Sequence, residues 1–303
     1  MNHLVIDIGG TAIKSALYTP SGMLADFRET ASDGREGAQA LLSRLHDLIG
    51  SYAAQGFDRI GVSTAGQVDC VAGRIIFAND NIPGYTGTPL AEILTQDWQV
   101  PVDVENDVNA AALGEAYFGS ARGIADFLCL TYGTGIGGAI VIDGQIYRGL
   151  HGLAGEFGHL VTHAQDGLPC TCGQTGCYEQ YASAAALVRQ AVRINPAWSN
   201  GRLLTEARDA AKPGVIPVLE YWAEEVACGL SSLIHCFNPS LIVLGGGILS
   251  DENIFQRILR HTLNRTMPSF ARGLVIRPAS LGNQAGLYGM VAIGRNTRSS
   301  GGA

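Results

Sequence analysis

The chain opens with apolar runs that end at glycine. Leu4-Val5-Ile6-Asp7-Ile8 is typical of a buried strand, and it leads directly into Gly9-Gly10-Thr11. From Ile13 to Tyr18 apolar and polar residues alternate, which is the period of a strand with one buried face. A turn at Pro20-Ser21-Gly22 precedes a third short strand, Met23-Leu24-Ala25. The pattern predicts three strands joined by tight turns.

A second unit of the same kind lies near the middle of the chain. Phe127 to Thr131 is an apolar run, Gly133-Thr134-Gly135 follows it, and the next apolar run is Ala139 to Ile142. Asp143-Gly144 is a hairpin signal ahead of Ile146-Tyr147. Because each unit is later joined by helices and strands of its own, the duplication predicts two α/β lobes with a cleft between them.

Helical spacing marks the segments between these strands. Apolar residues recur three and four positions apart in Gly37–Tyr52, and an alanine-rich helix is predicted over Val108–Phe118. Further helices are predicted near 182–194, 217–237 and 251–264, and further strands at Ile60–Ser63, Val102–Val104 and Leu241–Leu244. The tail Arg298–Ala303 is predicted to be disordered.

Composition narrows the function classes. Charged residues make up only 16% of the chain, which excludes global disorder, and the net charge of −7 disfavours nucleic acid as a partner. Val226–Ser250 has no charged side chain, but Asn238-Pro239 and three glycines interrupt it, so it indicates a helix and a strand rather than a membrane span. Seven cysteines without an export signal argue against a disulfide framework. We expect a cytoplasmic protein with reduced thiols.

The 40 glycines cluster at turns where a backbone can approach a ligand closely. Asp7-Ile8-Gly9-Gly10-Thr11 offers backbone N–H groups to a phosphate, and Asp7 is a candidate for a Mg²⁺ bridge. Gly133-Thr134-Gly135-Ile136-Gly137-Gly138 repeats this chemistry, so the two turns together suit a polyphosphate. Gly245-Gly246-Gly247 suggests a surface for a nucleotide. Plain β-turns, and a helix-entry turn for the third run, are the alternatives.

A cysteine cluster predicts a metal site. Cys170, Cys172 and Cys177 have the spacing C-x-C-x₄-C within one glycine-containing loop, and zinc prefers four such ligands in a tetrahedron. His151, His159 and His163 are all close enough in sequence to complete the set. A closed site of this kind is structural. Three unrelated buried thiols are the alternative.

Two groups of polar residues suit a hydroxylated substrate. Glu105-Asn106-Asp107 precedes the helix Val108–Phe118, and Asp107 occupies the predicted N-cap. It acts either as a simple cap or as a carboxylate that takes a proton from an attacking hydroxyl. Gly155-Glu156-Phe157-Gly158-His159 and Glu179 flank the cysteine loop, and their carboxylates suit a polyol. Surface charges are the alternative for both glutamates.

In chain order, these motifs resemble the ROK family of repressors, open reading frames and sugar kinases. The matching segments are D-I-G-G-T at 7–11, E-N-D at 105–107, G-T-G-x-G-G at 133–138, G-E-F-G-H at 155–159, C-x-C-G-x-x-G-C-x-E at 170–179 and L-G-G-G at 244–247. The resemblance implies an α/β, actin-like ATPase fold, related to ribonuclease H, with two lobes and an active-site cleft between them. It also implies Mg²⁺-ATP, a structural Zn²⁺ ion and phosphorylation of a sugar hydroxyl.

The resemblance implies a role for each motif residue. Asp107 is the general base. The zinc ligands are His159, Cys170, Cys172 and Cys177. The sugar contacts are Gly66, Asn81, Asn106, Asp107, Glu156, His159 and Glu179. The nucleotide contacts are Asp7, Gly9, Gly10, Thr11, Lys14, Gly133, Thr134, Gly135, Gly245, Gly246 and Gly247. The smaller lobe is expected at 1–117 plus 288–303, and the larger lobe, with the zinc loop, at 118–287.

One segment departs from the family pattern. Ala78–Tyr85 is one residue longer than the usual sugar-side loop. The following Ile-Pro-Gly aligns Asn81 with the sugar contact, and Asn79 stays open as the alternative. The exact sugar is therefore open as well.

Three functions follow from the resemblance. The first is an ATP-dependent hexose kinase acting on the 6-hydroxyl of glucose, with N-acetylmannosamine, fructose, mannose and β-glucosides as competing substrates. The second is a sugar-responsive repressor, which is disfavoured because the first strand begins at Leu4 and leaves no room for a preceding DNA-binding domain. The third is a sugar-binding pseudoenzyme, which would lack the base or the phosphate turns. The resemblance also implies a homodimer, whereas the charge and the sequence pattern disfavour nucleic acid and membrane partners.

Overall fold

The computed structural model describes residues 2–300, with side chains through Arg295. By their internal contacts the residues form two units, the first made of Met1–Gly123, Gln145–Ala154 and Asn283–Ala303 and the second of Ile124–Gly144 and Gly155–Gly282. The first unit thus contains Gln145–Ala154, which the sequence pattern places in the second lobe.

Within residues 2–300 the strands are β1 (His3–Ile8), β2 (Ala12–Tyr18), β3 (Leu24–Ala31), β4 (Arg59–Thr64), β5 (Gln67–Asp69), β6 (Arg74–Phe77), β7 (Val102–Asn106), β8 (Phe127–Tyr132), β9 (Ile136–Ile142), β10 (Gln145–Ile146), β11 (Leu241–Gly245) and β12 (Val275–Pro278). The α-helices are α1 (Ala38–Gly50), α2 (Leu90–Trp98), α3 (Asp107–Phe118), α4 (Glu179–Ala182), α5 (Ala184–Ile194), α6 (Gly201–Asp209), α7 (Val215–Phe237), α8 (Glu252–Arg265), α9 (Pro268–Ala271) and α10 (Ala285–Ser300).

The sheet of the first unit has the order β3-β2-β1-β4-β7, with β1 antiparallel to β2 and parallel to β4. Side chains of β1 alternate between two apolar clusters because successive residues of a strand face opposite sides of the sheet. Leu4 and Ile6 belong to the cluster that includes α1, whereas Val5 belongs to the cluster that includes α3 and α10. Helices therefore cover both faces of this sheet.

Helices α3 and α10 approach each other closely through glycine. A Cβ on Gly289 would collide with the carbonyl oxygen of Ala110, and a Cβ on Gly114 would collide with that of Ala285. The same contact surface continues to Gly286, which lies against Asp7 and Ser63 at the end of β1. The α3–α10 pair thus packs directly behind the first glycine turn.

The second sheet has the order β10-β9-β8-β11-β12, with β8 antiparallel to β9 and parallel to β11. Helix α7 is buried along most of its length, and the Trp222 indole N–H donates to the carbonyl oxygens of Ala182 and Ser183, both at 3.0 Å. The Tyr178 hydroxyl donates to the Val226 carbonyl at 2.7 Å and lies 2.9 Å from the Tyr132 hydroxyl. These buried hydrogen bonds join α7 to the strand that precedes the second glycine turn.

Several elements differ from the sequence-based predictions. Strand β3 extends to Ala31, beyond the predicted end at Ala25. The sequence does not show this extension because β3 is an exposed edge strand with polar side chains on both faces, so apolar and polar residues do not alternate. Helices α2, α6 and α10 are missed by the sequence-based predictions. The prediction of a disordered tail from Arg298 is wrong as far as Ser300, where α10 ends, and residues 301–303 lie outside the described residues. Within residues 2–300, every helix is too short or too polar to cross a membrane.

Candidate functional site

A mostly buried carboxylate, that of Asp7, lies near the end of β1, just before the first glycine turn. Asp7 Oδ1 accepts a hydrogen bond from the Ser63 hydroxyl at 2.8 Å, and Asp7 Oδ2 lies 3.7 Å from Lys14 Nζ. Burial raises the pKa of Asp7, whereas the Ser63 hydroxyl and the Lys14 ammonium lower it. The turn closes through Gly9 N–H donating to Ala12 O at 2.9 Å. A Cβ on Gly10 would meet no atom within 4 Å, so the backbone is open on that side.

The second glycine turn, between β8 and β9, is held by a carboxylate from another element. Glu179 Oε2, at the start of α4, accepts the Ile136 N–H at 3.0 Å and occupies the space that a Cβ on Gly135 would need. The Gly133 carbonyl accepts the Ala185 N–H at 3.2 Å. The structure thus places Glu179, expected among the sugar contacts, directly against the turn expected to bind nucleotide.

The third glycine run lies beside the second turn. Strand β11 ends at Gly245, and a short 3₁₀ helix begins at Gly247. Gly246 has φ of 126° and packs on the carbonyl of Tyr132, so a side chain there is excluded both by conformation and by contact. The second unit therefore brings the nucleotide candidates 133–135 and 245–247 together.

The β7–α3 junction carries the Glu105-Asn106-Asp107 motif. Asn106 has extended φ and ψ, and its Oδ1 accepts the N–H groups of Val108 at 2.9 Å and Asn109 at 3.1 Å. Asn106 is therefore the N-cap, and the prediction that Asp107 is the cap is wrong. Asp107 is the first helical residue, because the chain turns from strand into helix one residue earlier than predicted.

The Asp107 carboxylate is oriented by its neighbours. Its Oδ1 accepts the Val108 N–H at 2.9 Å and the Asn106 Nδ2–H at 3.0 Å. Asn106 Nδ2 also donates to the Gly66 carbonyl at 3.0 Å. The first unit thus brings Gly66, Asn106 and Asp107 together, as expected for one site. The N-terminus of a helix favours the ionised form of a carboxylate there.

Glu105 has a role that the sequence pattern did not indicate. Its side chain is 2% exposed, and Oε2 accepts Arg148 Nη2–H at 2.6 Å while Oε1 accepts Arg148 Nη1–H at 3.1 Å. Ser63, which holds Asp7, was missed as well. For Ser63 a sequence signal exists, because it lies next to the end of β4, which is parallel to β1. For Glu105 no such signal exists, because its partner Arg148 is 43 residues away in the chain.

The lengthened loop 78–85 is closed by one of its own asparagines. Asn79 Oδ1 accepts the Asn81 N–H at 3.2 Å, which is an Asx turn. Both asparagine side chains are exposed. The Asn79 oxygen is thus used within the turn, and the choice between Asn79 and Asn81 as the sugar contact stays a prediction.

The predicted metal ligands form one cluster. The ligand atoms of His159, Cys170, Cys172 and Cys177 all lie within 4.8 Å of one another. Cys172 Sγ is 3.6 Å from Cys177 Sγ, and Cys170 Sγ is 3.6 Å from His159 Nδ1. Tetrahedral zinc with Zn–S bonds of about 2.3 Å separates its sulfur ligands by about 3.8 Å, so this donor set fits zinc.

His159 is the histidine that completes the cluster. His163 instead stacks on Tyr181 with ring centroids 3.6 Å apart, and its Nε2 lies 3.6 Å from Glu225. The Nδ1 of His159 faces the thiols, and its Nε2 lies 4.0 Å from Glu156 Oε2. A carboxylate on the second ring nitrogen is a common feature of metal-bound histidines.

The Cys170 thiol favours a negative charge, whereas the Cys177 thiol does not. Burial raises the pKa of Cys170, but hydrogen bonds from Cys172, Cys177 and His159 outweigh burial and lower it to about 7. Burial and the neighbouring sulfurs raise the pKa of Cys177 to about 12. A cation is needed before all three thiols can ionise together, and zinc supplies that charge when it binds.

The G-E-F-G-H segment packs against the strand that follows the second turn. A Cβ on Gly138 would collide with the Phe157 ring and with the Gly155 carbonyl, and one on Gly158 would collide with the Ile136 carbonyl. Glu156 and His159 are thus held beside β9. The second unit therefore joins the zinc cluster, two expected sugar contacts and the second glycine turn into one packed region.

Comparison with known proteins agrees with this geometry. A glucokinase of Halalkalibacterium halodurans is 32% identical over 95% of this chain and 93% of its own length. A xylose repressor of Caldicellulosiruptor bescii is 30% identical over 85% of this chain and 69% of its own. The crystal structure of a ROK family glucokinase from Streptomyces griseus, in complex with glucose and AMPPNP, has a TM-score of 0.87 at 30% identity, covering 98% of this chain and 100% of that one. The likeness confirms the expected actin-like ATPase fold. Because the ROK family model also matches residues 3–297, the chain belongs to the ROK family.

Proposed function

We propose that the protein is an ATP-dependent kinase that phosphorylates a hexose, glucose or a close relative, at the 6-hydroxyl. The observation that carries the proposal is the Asp107 carboxylate at the first position of α3, oriented by Asn106 and by the Val108 N–H. The named similarity to glucokinases supports the choice of sugar. N-acetylmannosamine, fructose, mannose and β-glucosides stay as alternative substrates.

In the proposed mechanism Asp107 accepts the proton of the sugar hydroxyl as its oxygen attacks the γ-phosphoryl group of ATP. A carboxylate at a helix N-terminus stays ionised at neutral pH and is ready to accept that proton. Phosphoryl transfer needs little covalent chemistry from the protein, so positioning and charge neutralisation supply most of the acceleration. Asn106, Glu156, His159 and Glu179 are proposed to hold the sugar hydroxyls.

The nucleotide is assigned to the three glycine runs. Open backbone at Gly10, Gly133 and Gly247 lets N–H groups approach phosphate oxygens, since no neighbour lies within 4 Å of those Cβ positions. Asp7 and Lys14 are paired charged groups on the two strands that the first turn joins. A Mg²⁺ ion bound with ATP neutralises charge on the transferring phosphoryl group. Asp7 is the proposed carboxylate for that ion.

Zinc is proposed as a structural ion. Its four ligands close the tetrahedron and leave no position for a reacting water. The loop between His159 and Cys177 contains no helix or strand, and turn-like backbone hydrogen bonds such as Cys170 N–H to Gln174 O at 2.8 Å hold it, with isolated bridges at Val161–Cys177 and Pro169–Thr175. We propose that the ion orders this loop and thereby positions Glu156 and Glu179. The homodimer and the cytoplasmic location implied by the resemblance remain predictions.

The test is Asp107→Asn measured against Glu252→Gln. Glu252 is the first residue of α8, so its variant removes the same charge from the same helical position. Because Asn106 is the cap, Asp107→Asn should melt within a few degrees of the wild type. Its kcat should fall by roughly 10²–10⁴-fold, the usual contribution of a general base, with ATP affinity kept.

Activity is measured as ADP release with a panel of hexoses, ranked by kcat/KM. Near-normal kcat in Asp107→Asn would show that this carboxylate is not the base. If no sugar in the panel accepts a phosphoryl group and the protein binds an operator-like DNA, the repressor function is favoured instead.

A further inference from the structure

An ion pair between a buried carboxylate and a half-buried guanidinium lies next to Asn106 in the first unit. Glu105 is 2% exposed, and both of its oxygens accept hydrogen bonds from the Arg148 guanidinium, at 2.6 and 3.1 Å. Its Oε1 also accepts the backbone N–H of Asn106 at 3.0 Å and the Nδ2–H of Asn109 at 3.1 Å. One carboxylate thus links β7, the first turn of α3 and the residue Arg148.

The contacts continue from Glu105 to Asp107 through a single residue. Glu105 holds the backbone N–H of Asn106. The Asn106 side chain in turn donates to Asp107 Oδ1 at 3.0 Å while its own Oδ1 caps α3. A change in the Glu105 carboxylate therefore moves the backbone of Asn106. Because Asn106 caps α3 and also donates to Asp107, the change reaches the proposed base.

Arg148 belongs to a segment that has few other anchors. Residues 147–154 form no regular helix or strand, and Gly149 and Gly152 both have positive φ. The side chains of Tyr147 and Leu150 are 51% and 90% exposed. The Arg148 carbonyl accepts the Ala154 N–H at 3.1 Å, so the backbone folds back around the arginine. The Glu105–Arg148 pair is where this segment attaches to the base-bearing junction.

We propose that Glu105 and Arg148 are a positioning pair, which sets the orientation of Asn106 and Asp107 and fixes segment 147–154 against them. The inference rests on the proposed function, since Asp107 is the base there. A buried ion pair adds little net stability compared with two apolar side chains of similar size. The pair therefore acts on the rate through geometry, and a misplacement of about 1 Å can lower a rate by about 10²-fold.

The same strand provides a matched control. Asp103, two residues before Glu105 on β7, pairs with Arg59 at 2.9 Å, and the two side chains are 21% and 13% exposed. Asp103 Oδ2 accepts from Arg59 Nη1, and Arg59 also donates to the Gly294 carbonyl, away from the Asn106 peptide. Removing this pair disturbs β7 without breaking the contacts of Asn106 and Asp107.

The experiment compares three double variants. Glu105→Met with Arg148→Met removes both charges and all their hydrogen bonds, and it leaves no unpaired buried charge that would unfold the protein. Glu105→Gln with Arg148→Met restores an oxygen that accepts from Asn106 and Asn109. Asp103→Met with Arg59→Met is the control.

We expect the Met/Met variant at 105 and 148 to melt within a few degrees of the control and to lose up to about 10²-fold in kcat, with KM for ATP unchanged. The Gln/Met variant should recover part of that kcat. The control should keep the wild-type kcat. The kcat values are corrected for the folded fraction of each variant. If Glu105→Met with Arg148→Met then has the same kcat as the control, the inference is overturned.

The wild type and Asp107→Asn are measured in the same series, which separates the two proposals. If the wild type transfers no phosphoryl group, or if Asp107→Asn is near normal, the proposed function fails. If both behave as proposed while the 105/148 variants keep full kcat, only the positioning pair fails.

Discussion

The turn after β1 and the turn after β8 have the same connections and different supports. Both follow a strand that pairs antiparallel with the next strand and parallel with a later one. Beside the first turn the cross-strand pair is Asp7 with Lys14, and beside the second it is Thr131 with Gly137. At this pair of positions the first sheet thus carries two charged side chains, and the second sheet carries a threonine and a glycine.

The difference extends to what lies behind each turn. Ser63 of the neighbouring strand holds Asp7, so the first turn depends on a polar network within its own sheet. Glu179 and Phe157, from segments beside the zinc cluster, fill the space around Gly135 and Gly138. One backbone arrangement is therefore preserved by a polar network within the sheet in the first unit, and by steric contact together with the Glu179 hydrogen bond to Ile136 in the second. Each support predicts a different sensitivity.

The largest expected effect is loss of zinc, which should act on the second turn only. Elemental analysis of protein purified without added metal should find about one zinc per chain. Cys172→Ser should lower the free energy of unfolding by about 4 kcal/mol or more, as loss of a metal does, and so lower Tm by roughly 10 °C. Activity should fall because Glu179 is no longer held on Ile136.

Cys236→Ser is the control, because Cys236 is an exposed cysteine outside the cluster. It should keep both zinc and Tm. Full activity in Cys172→Ser, or no zinc in the wild type, would show that zinc does not stabilise the second turn.

The next effect is steric and separates two glycines of the second turn. Gly138→Ala forces a Cβ against the Phe157 ring and a backbone carbonyl, so the packed segment must shift. We expect a loss of about 1–3 kcal/mol, the usual range for overpacking. Gly133→Ala, with open space at its Cβ position, is the control and should unfold like the wild type. Equal denaturation midpoints for the two variants would contradict steric support.

A smaller effect concerns the charge beside the first turn. Burial raises the pKa of Asp7 above its usual value of 3.8, despite Ser63 and Lys14. Between that value and the raised pKa the native state holds more protons than the unfolded chain, so the free energy of unfolding falls as pH rises through this window. Asp7→Asn cannot ionise and should not show this fall.

Unfolding of Asp7→Asn and wild type is measured at several pH values from acid to neutral. The variant should gain stability relative to the wild type as pH rises above about 4. Thr131→Val, the equivalent position at the second turn, should show no pH-dependent difference from the wild type. If the free energy of unfolding depends on pH in the same way for Asp7→Asn and the wild type, the charge of Asp7 does not determine the stability of the first turn.

The sequence predicts the two turns well because their strands are buried. An apolar run that stops at glycine needs no knowledge of distant residues, so β1 and β8 and the turns after them are found from local pattern alone. The zinc ligands are equally local, apart from the choice of histidine among three, which requires knowing that His163 stacks on Tyr181.

The residues that support the turns are harder to predict. Glu179 reaches Ile136 and Arg148 reaches Glu105 across 43 residues of chain each, and no period in the sequence marks such pairs. The helix cap was misplaced by one residue because asparagine and aspartate both cap well, and only the backbone angles show which one does. Contacts between residues that are far apart in the chain therefore require the structure, whereas the local motifs that they stabilise can be predicted from the sequence.

The smallest effect on folding is expected from Gly10→Ala, which is also the last test of the comparison between the two turns. Gly10 is exposed, its φ is not left-handed, and no atom lies within 4 Å of a Cβ there. The free energy of unfolding should change by less than about 0.5 kcal/mol, as for an ordinary surface substitution. If phosphate oxygens approach this open backbone, the added methyl group blocks one N–H and weakens ATP binding by roughly tenfold, the equivalent of about one hydrogen bond. Calorimetric titration with a non-hydrolysable ATP analogue measures the change, with Ser21→Ala, in the exposed turn at the far end of β2, as a binding control. A Gly10→Ala protein with unchanged ATP affinity would show that the first turn, although open, is not where the nucleotide binds.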